Sequence, residues 1–443
     1  MRTLIIEGKH LLHGDVTIQG AKNAAQKILP ATVVFPGDYL LKNVPRIQDA
    51  GALITILSFL GADIEFLDEH TMRVNTEHVV TKEIPPEVTA LSTGTFLFAG
   101  ALLGRCGEVK IWHPGGDRIG KRPVTWHLAA FQKLGATVIE KEAYYEVRAP
   151  RLRGNCTISF AKPTANGTVN AVIASARAHG EVLIENVAPE PEIRNFLEFM
   201  QTIGADVEWV GAHQIRVKGV EQGLGSGEIE IIPDRNDAAT FIIAAALGHG
   251  PVTLSPLQTE HLLPLLEALK SCGVEFEERS QGRNQSLTVR CDELRASGLH
   301  IISRPYPGFN TDWGPMTQAL LTQVPGISIF HETIFSQRFA QIEEFKRMGA
   351  TIQPIDLPGK EDLYNFDPLA GTFHAVQIQG PSVLHGTAVH ANDVRAGAAL
   401  VLASLVAEGE TEITGLEQIE RGYEAFVERL NRLGASIRDV QDS

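Results

Sequence analysis

The chain has 443 residues, 44% of them hydrophobic, and a formal net charge of −14. That length exceeds one ordinary hydrophobic core, so two domains or a repeat architecture are expected. The acidic balance argues against a dedicated nucleic-acid binder, which needs a basic face, and requires any anionic ligand to be held by a local cationic site.

The four cysteines, Cys106, Cys156, Cys272 and Cys291, form no CxxC pair, and no His/Cys cluster has zinc spacing. A disulfide framework is therefore not expected, which points to a reducing compartment and a cytoplasmic location. The opening Met1-Arg2-Thr3-Leu4-Ile5-Ile6-Glu7 meets charge too early for a signal peptide. The longest apolar run, Ala396–Ala407, is too short to span a bilayer.

In chain order, a small-residue apolar helix is predicted over Ala21–Val34, then a strand over Tyr39–Val44. Ala50, Leu53, Ile54, Leu57 and Leu60 then keep helical spacing up to Leu60-Gly61-Ala62-Asp63. A strand over Glu108–Ile111 leads into Trp112-His113-Pro114-Gly115-Gly116-Asp117-Arg118-Ile119-Gly120-Lys121-Arg122-Pro123. Glycines let such a loop bend around a ligand, and cations ahead of an amphipathic helix (Val124–Leu134) suit an anion clamp. A surface loop with solvated charges is the plainer alternative.

Further on, helices are expected over Thr168–Ala178, Ala238–Leu247 and Ala396–Val406, small and apolar nearly all round and hence buried. Strands are expected at Thr137–Glu140, Glu181–Val187, Val207–Val210, Val252–Leu254, Thr411–Thr414 and Ser436–Val440. Amphipathic helices carry Leu262, Leu265, Leu266, Leu269 and Cys272, and later Tyr423, Phe426, Val427, Leu430 and Leu433; Pro264 is tolerable near a helix start.

The phrase at Gly61 recurs around Gly135, Gly204, Gly273, Gly349 and Gly434, at intervals of ~70–85 residues. Each glycine ends a helical pattern and precedes an alternating one, as a C-terminal helix cap does. The unit reads strand, buried helix, strand, outer helix, glycine, strand. Six such units fit two groups of three, with helices inside and sheets outside.

Charge falls at helix starts: Lys22-Asn23, Lys162, Asp234-Arg235, Asp312, and Asp393 with Arg395 ahead of buried helices. Arg122, Glu190 with Glu192, Arg338 and Arg421 lie near the starts of outer ones. Cations at helix N-termini are unfavourable unless an anion is bound there. Asp234, Asp312 and Asp393 are equally readable as helix caps, and Arg235, Arg338, Arg395 and Arg421 as structural ion-pair partners. Lys22 reads either as a solvated surface lysine or as a ligand cation; as an exposed helix-start residue it should contribute little to stability. His127 reads as a packed histidine rather than a base. No catalytic Ser/His/Asp order, phosphate-binding lysine loop or dinucleotide fingerprint occurs.

Together these residues resemble the enolpyruvyl transferase family over essentially the whole chain. The motifs are Gly20-Ala21-Lys22-Asn23-Ala24-Ala25, Pro114-Gly115-Gly116 with Arg122-Pro123-Val124, Pro189-Glu190-Pro191-Glu192-Ile193 and Ile232-Pro233-Asp234-Arg235. Thr311-Asp312, Arg338-Phe339, Asp393-x-Arg395-Ala396 and Arg421-Gly422-Tyr423 complete them. The family branch acting on shikimate 3-phosphate differs at the first two.

The resemblance implies an α/β fold, a two-domain inside-out α/β barrel built from six repeats. It places one domain at 22–231 with a mobile lid at 112–123, and the other at 1–21 plus 232–443. It implies transfer of the enolpyruvyl group of phosphoenolpyruvate to the 3′-hydroxyl of UDP-N-acetylglucosamine, the first committed step of peptidoglycan synthesis. The hydroxyl adds to the central carbon, the methylene is protonated, and the tetrahedral intermediate expels phosphate. No metal or organic cofactor is implied, and neither nucleic acid nor membrane is a partner. Lys22, Asn23, Arg122, Arg395 and Arg421 would bind phosphoenolpyruvate. Asp312 would take the hydroxyl proton and Asp117 would protonate the methylene, with Lys22 and Arg395 also catalytic. Thr93, Arg122, Pro123, Val124, Thr125 and Trp126 would line the sugar nucleotide, with Lys162, Pro163, Thr164, Ala165, Asp312 and Ile334.

Three positions depart from the pattern. Asp117 stands where the lid usually carries cysteine, the residue on which fosfomycin opens its epoxide, so insensitivity to fosfomycin is expected. Thr93 stands where an arginine is usual, and Thr125 replaces an aspartate that commonly contacts uracil. An enolpyruvyl transferase with another nucleotide acceptor, or a catalytically silent UDP-sugar sensor, are the alternatives.

Overall fold

A computed structural model describes residues 2–90, 92–113, 124–281, 284–295, 298–357, 359, 363–366 and 373–441. Among the described residues the strands form six four-stranded sheets. The chain divides into two compact units, one built from Met1–Gln19 and Pro233–Ser443, the other from the described residues between Gly20 and Ile232. Each unit holds three sheets.

One repeat shows how each is made. Strand Cys156–Thr164 leads into helix Ala165–Ser175, then strand Glu181–Val187, helix Pro191–Thr202, and strands Asp206–Gly211 and Gln214–Lys218. The first two strands pair parallel around the first helix, and the last strand inserts antiparallel between the second and third. This fourth strand is absent from the unit read in the sequence. It is short, with alternating exposed charge, and takes its identity from pairing on both sides.

The same order recurs with segments exchanged along the chain. Strand Gly14–Thr17 pairs with Val252–Leu257, Ser226–Glu230 with Asp38–Lys42, and Arg2–Glu7 sits between Glu410–Thr414 and Ser436–Gln441. The N-terminal strands therefore complete two sheets of the unit that also contains residues 233–443.

The inner helices are Lys22–Ala31, Leu97–Cys106, Ala165–Ser175, Arg235–Leu247, Gly314–Leu321 and Val394–Ser404. Every residue of Arg235–Leu247 and of Val394–Ser404 is buried. Small residues make this possible, since three such helices pack on one another inside each ring of sheets. Thus each unit is an inside-out α/β arrangement with its apolar core around the inner helices. The six repeated glycines all have left-handed φ, from 86° at Gly135 to 107° at Gly434. A side chain is disfavoured there, which is why the phrase survives in all six units.

Candidate active site

In the unit containing residues 233–443, three inner-helix starts converge on one carboxylate. Asp234 caps helix Arg235–Leu247, accepting from Asn236 N at 2.7 Å and Asp237 N at 3.4 Å. Asp393 caps Val394–Ser404, accepting from Arg395 N and Ala396 N, each at 2.8 Å. For these two the helix-cap reading holds.

Asp312 differs. It lies in the short helical turn Thr311–Trp313 before Gly314–Leu321, where Asn310 is the cap and accepts from Asp312 N at 2.9 Å. Its carboxylate meets three side chains. Arg338 donates to Oδ1, Asn236 Nδ2 donates to Oδ2 at 3.3 Å, and Arg395 Nη2 lies 3.5 Å from Oδ2. Asn310 Nδ2 holds Asn236 Oδ1 at 3.0 Å, fixing that amide's orientation. The Asp312 side chain stays 21% exposed beside arginines that are 3% and 5% exposed, so it is the group of this cluster that meets solvent.

Arg395 is a buried cation in the first turn of a helix, a costly placement. Burial opposes its charge, and Tyr423, Asp312 and Asp234 outweigh it, holding the guanidinium above its ordinary basicity. Its guanidinium lies 5.1 Å from the centroid of the Tyr423 ring, and the Tyr423 hydroxyl meets Thr240 Oγ1 at 2.8 Å. Burial pushes the Tyr423 phenol up in turn. Arg395 Nη1 and Arg338 Nε are buried donors without a hydrogen-bond partner in the structure. Two orphaned guanidinium donors beside a carboxylate suit an anionic ligand.

Arg421 is not at the start of an outer helix, as its sequence position suggested. It is the C-cap of the short helix Leu416–Glu420, where a cation is favourable, and it donates to Gln418 Oε1 at 3.3 Å. Ile334 lies in a turn whose amide N bonds Glu332 at 2.6 Å.

In the other unit, Lys22 opens helix Lys22–Ala31 and is only 7% exposed. Its Nζ meets Asp49 Oδ2 at 2.6 Å, at the start of helix Gln48–Leu60. The expectation of an exposed lysine with little bearing on stability is therefore corrected: burial beside a buried carboxylate makes it part of the fold. Asn23 is half-buried, and its carbonyl accepts from Lys27 Nζ at 2.6 Å.

Thr125 and Trp126 open helix Thr125–Lys133, with Val124 at its N-cap; Thr125 is exposed, and Val124 and Trp126 pack against the core. Lys162 is not at a helix start: it is exposed on strand Cys156–Thr164, and Pro163 follows it. Thr164 instead caps Ala165–Ser175 by accepting from Gly167 N at 3.3 Å. His127 is packed, as expected: Nδ1 accepts from Asn170 Nδ2 at 2.9 Å, and burial pushes its pKa down to about 4. Thr93 opens the turn Thr93–Phe96, capped by Ser92. Asp117, Arg122, Pro123 and the rest of 114–123 lie outside the described residues, as does the side chain of Thr93.

Sequence reasoning missed Glu332, Asn236 and Asp49. Each acts through a partner distant along the chain, so local pattern carries no signal for it. Asn236 alone had a hint, directly following Asp234-Arg235.

The architecture places the chain in a class first. It aligns over its full length, at 22% identity and a TM-score of 0.86, with 99% of an enolpyruvyl transferase, NikO, from Streptomyces tendae. An EPSP synthase from Acinetobacter baumannii aligns with 99% of the chain and all of its own, at 19% identity and a TM-score of 0.71. These likenesses define the fold as the enolpyruvyl transferase inside-out barrel. A family model described as EPSP synthase (3-phosphoshikimate 1-carboxyvinyltransferase) matches residues 6–430. A UDP-N-acetylglucosamine 1-carboxyvinyltransferase 2 from Carboxydothermus hydrogenoformans is 39% identical over 442 residues, with both chains fully covered. One from Halothermothrix orenii is 37% identical over 441 residues, again with full coverage. The chain belongs to the enolpyruvyl transferase family.

Proposed function

We propose that the chain is a UDP-N-acetylglucosamine 1-carboxyvinyltransferase. It transfers the enolpyruvyl group of phosphoenolpyruvate to the 3′-hydroxyl of UDP-N-acetylglucosamine and releases phosphate, the first committed step of peptidoglycan synthesis. Full-length relatives at 37–39% identity support this reading. The observation that carries it within the molecule is Asp312. Its two counterparts at neighbouring helix starts cap their helices, while its carboxylate is held by Arg338, Asn236 and Arg395.

Asp312 takes the proton of the acceptor hydroxyl as its oxygen bonds to the central carbon of phosphoenolpyruvate. Asp117 delivers a proton to the methylene carbon. Loss of a proton from that carbon then accompanies rupture of the carbon–oxygen bond to phosphate, restoring the enol. Lys22, Asn23, Arg122, Arg395 and Arg421 hold phosphoenolpyruvate and stabilise the charge that builds on the leaving phosphate. The sugar nucleotide is lined by Thr93 and by Arg122, Pro123, Val124, Thr125 and Trp126. Lys162, Pro163, Thr164, Ala165 and Ile334 complete its contacts.

The units 22–231 and 1–21 plus 232–443 act as the two domains, with 112–123 as the lid that excludes water. The four cysteines are free thiols, and no helix among the described residues is long and apolar enough to cross a membrane, which supports a cytoplasmic setting.

Phosphate release on mixing the protein with phosphoenolpyruvate and UDP-N-acetylglucosamine tests the reading. Thr93 and Thr125 favour a second one, another nucleotide acceptor. A panel of UDP-sugars and nucleosides in the same assay decides between them. No release with any acceptor leaves the silent sensor. Asp117 also makes the enzyme insensitive to fosfomycin, because a carboxylate opens that epoxide far more slowly than a thiolate. Covalent labelling of the unaltered protein by fosfomycin would overturn this.

A further inference from the structure

Glu332 is a fully buried acid that the reaction above does not use. It directly follows strand Gly326–His331, and its own amide donates to His374 O at 2.8 Å. Its carboxylate accepts three hydrogen bonds: from Thr311 Oγ1 at 2.8 Å, Ile334 N at 2.6 Å and Phe335 N at 3.0 Å. Two of the three partners are backbone N–H groups, which can only donate, and the Thr311 hydroxyl donates to the other carboxylate oxygen.

The contacts join two segments. Thr311 immediately precedes Asp312 in the turn Thr311–Trp313. Ile334 and Phe335 begin the stretch that delivers Arg338, whose guanidinium holds Asp312. Arg338 also acts electrostatically on Glu332, pulling against the burial that raises that acid's pKa. One cation therefore serves two carboxylates, one buried and one partly open.

We propose that Glu332 is a positioning residue for Asp312: it fixes the turn that carries the base and offsets the positive charge that would otherwise weaken it. The proposal rests on the reading of Asp312 as the base. Arg338 and Arg395 both lie against the Asp312 carboxylate, and cations beside a carboxylate make it a weaker proton acceptor. Ionised, Glu332 counters that pull from beside Arg338 without touching substrate; burial works against its charge, and Arg338, Thr311 and the two amides work for it.

The charged and titratable groups facing this pair are few. Arg338 lies on its own stretch of chain, and Arg395 comes from helix Val394–Ser404. Asp234 and Tyr423 act on Arg395, and Arg235 lies 6.0 Å from the centroid of the Trp313 ring. His374 touches Glu332 through its backbone, and His331 is bonded to Tyr364 at 3.0 Å.

Two variants separate charge from shape. Glu332→Gln keeps the size and the acceptor for Ile334 and Phe335 but removes the charge. Glu332→Asp keeps the charge on a shorter stem. For Glu332→Gln, kcat is expected to fall about tenfold, with KM for the sugar nucleotide within about twofold. The acid limb of kcat/KM should move about half to one pH unit lower, because Asp312 gives up its proton more readily once the neighbouring anion is gone. Glu332→Asp should leave that limb in place. In full-length protein labelled with carboxyl-¹³C aspartate, the titration of Asp312 should show the same downward shift.

An unshifted limb and titration in a folded Glu332→Gln protein would overturn the proposal and leave Glu332 a turn-former. If Glu332→Gln does not fold, Thr311→Val cuts the same link from the other side, and an unchanged kcat there overturns the positioning role. If the unaltered protein turns over no acceptor, the functional reading fails separately, while the carboxyl titration still decides what Glu332 does to Asp312.

Discussion

The two units repeat one βαβαββ plan, yet their inner-helix starts differ in charge. In the unit of residues 233–443, Asp234 with Arg235, Asp312, and Asp393 with Arg395 put charge at all three starts. In the other unit only Lys22 does so. Thr164 caps one helix with a hydroxyl, and the helix Leu97–Cys106 begins on apolar residues with Phe96 at its N-cap. Asn170 and His127 there form a neutral buried pair. A packed helix and its cap need no further charge, so charge beyond a cap at a helix start points first to chemistry, and Lys22, paired with Asp49, serves the fold as well.

Breaking the charged set should have the largest effect. Asp312→Asn leaves an acceptor for Arg338 but turns an amide N–H toward Arg395 or removes the acceptor Asn236 uses. Turnover is expected to fall by a factor of about 100 or more, the scale of a positioned base, while sugar-nucleotide binding by calorimetry persists. Unchanged turnover would return Asp312 to the status of a turn residue.

The one charged start of the other unit should show a mixed phenotype. Lys22→Ala removes a cation proposed to hold phosphoenolpyruvate and also the partner of buried Asp49. Turnover should fall by about 100-fold or more, and stability to urea by about 3–5 kcal/mol, since breaking a buried pair strands one of its charges. Lys22→Ala with Asp49→Asn should regain much of the stability and none of the turnover. Recovery of both would make Lys22 purely structural.

The neutral pair tests the comparison through pH. His127 has a pKa pushed down to about 4 in the fold, against an ordinary value near 6.5. The unfolded chain therefore binds more protons between those values, so the stability due to a neutral His127 is full above about pH 6.5 and is lost as pH falls toward about 4. The loss should reach about 2 kcal/mol near pH 5. His127→Gln keeps an acceptor for Asn170 without the titration. Urea unfolding at pH 7.5 and pH 5 should show a smaller drop for the variant; equal drops would place the proton elsewhere.

How much of this was legible follows the range over which each feature is determined. The six glycines were readable because a left-handed cap is a local demand met by one residue type. The inner helices were readable from small apolar runs, with starts displaced by a few residues: Ala165–Ser175 begins at a cap, Thr164, that composition does not distinguish. The returning strand Gln214–Lys218 was not readable, since it is defined by the two strands it joins. Asp312 was singled out by the family resemblance, but residue type and position alone do not separate it from Asp234 and Asp393; the geometry does. Glu332 was invisible, because the backbone amides of Ile334 and Phe335 that it binds carry no side-chain signal and its other partners, Thr311 and Arg338, are known only from the fold.

The smallest expected effect adds charge to a neutral start. Thr93 opens the turn Thr93–Phe96 that leads into Leu97–Cys106, and Ser92 caps that turn by accepting from Gly94 N at 3.2 Å. The family pattern places arginine at this position. A cation at a helix N-terminus is unfavourable by a few tenths to about 1 kcal/mol when nothing neutralises it. Thr93→Arg should therefore be slightly less stable without substrate. With a doubly charged phosphate bound nearby the sign reverses, and KM for phosphoenolpyruvate should fall by about three- to tenfold, the range of one partly exposed charge-assisted contact. The two effects are linked. If the arginine meets the ligand, phosphoenolpyruvate should raise the melting temperature of Thr93→Arg more than that of the unaltered protein. A loss of stability that the ligand does not offset would show that this start lies away from the anion, and that its neutrality is a matter of packing alone.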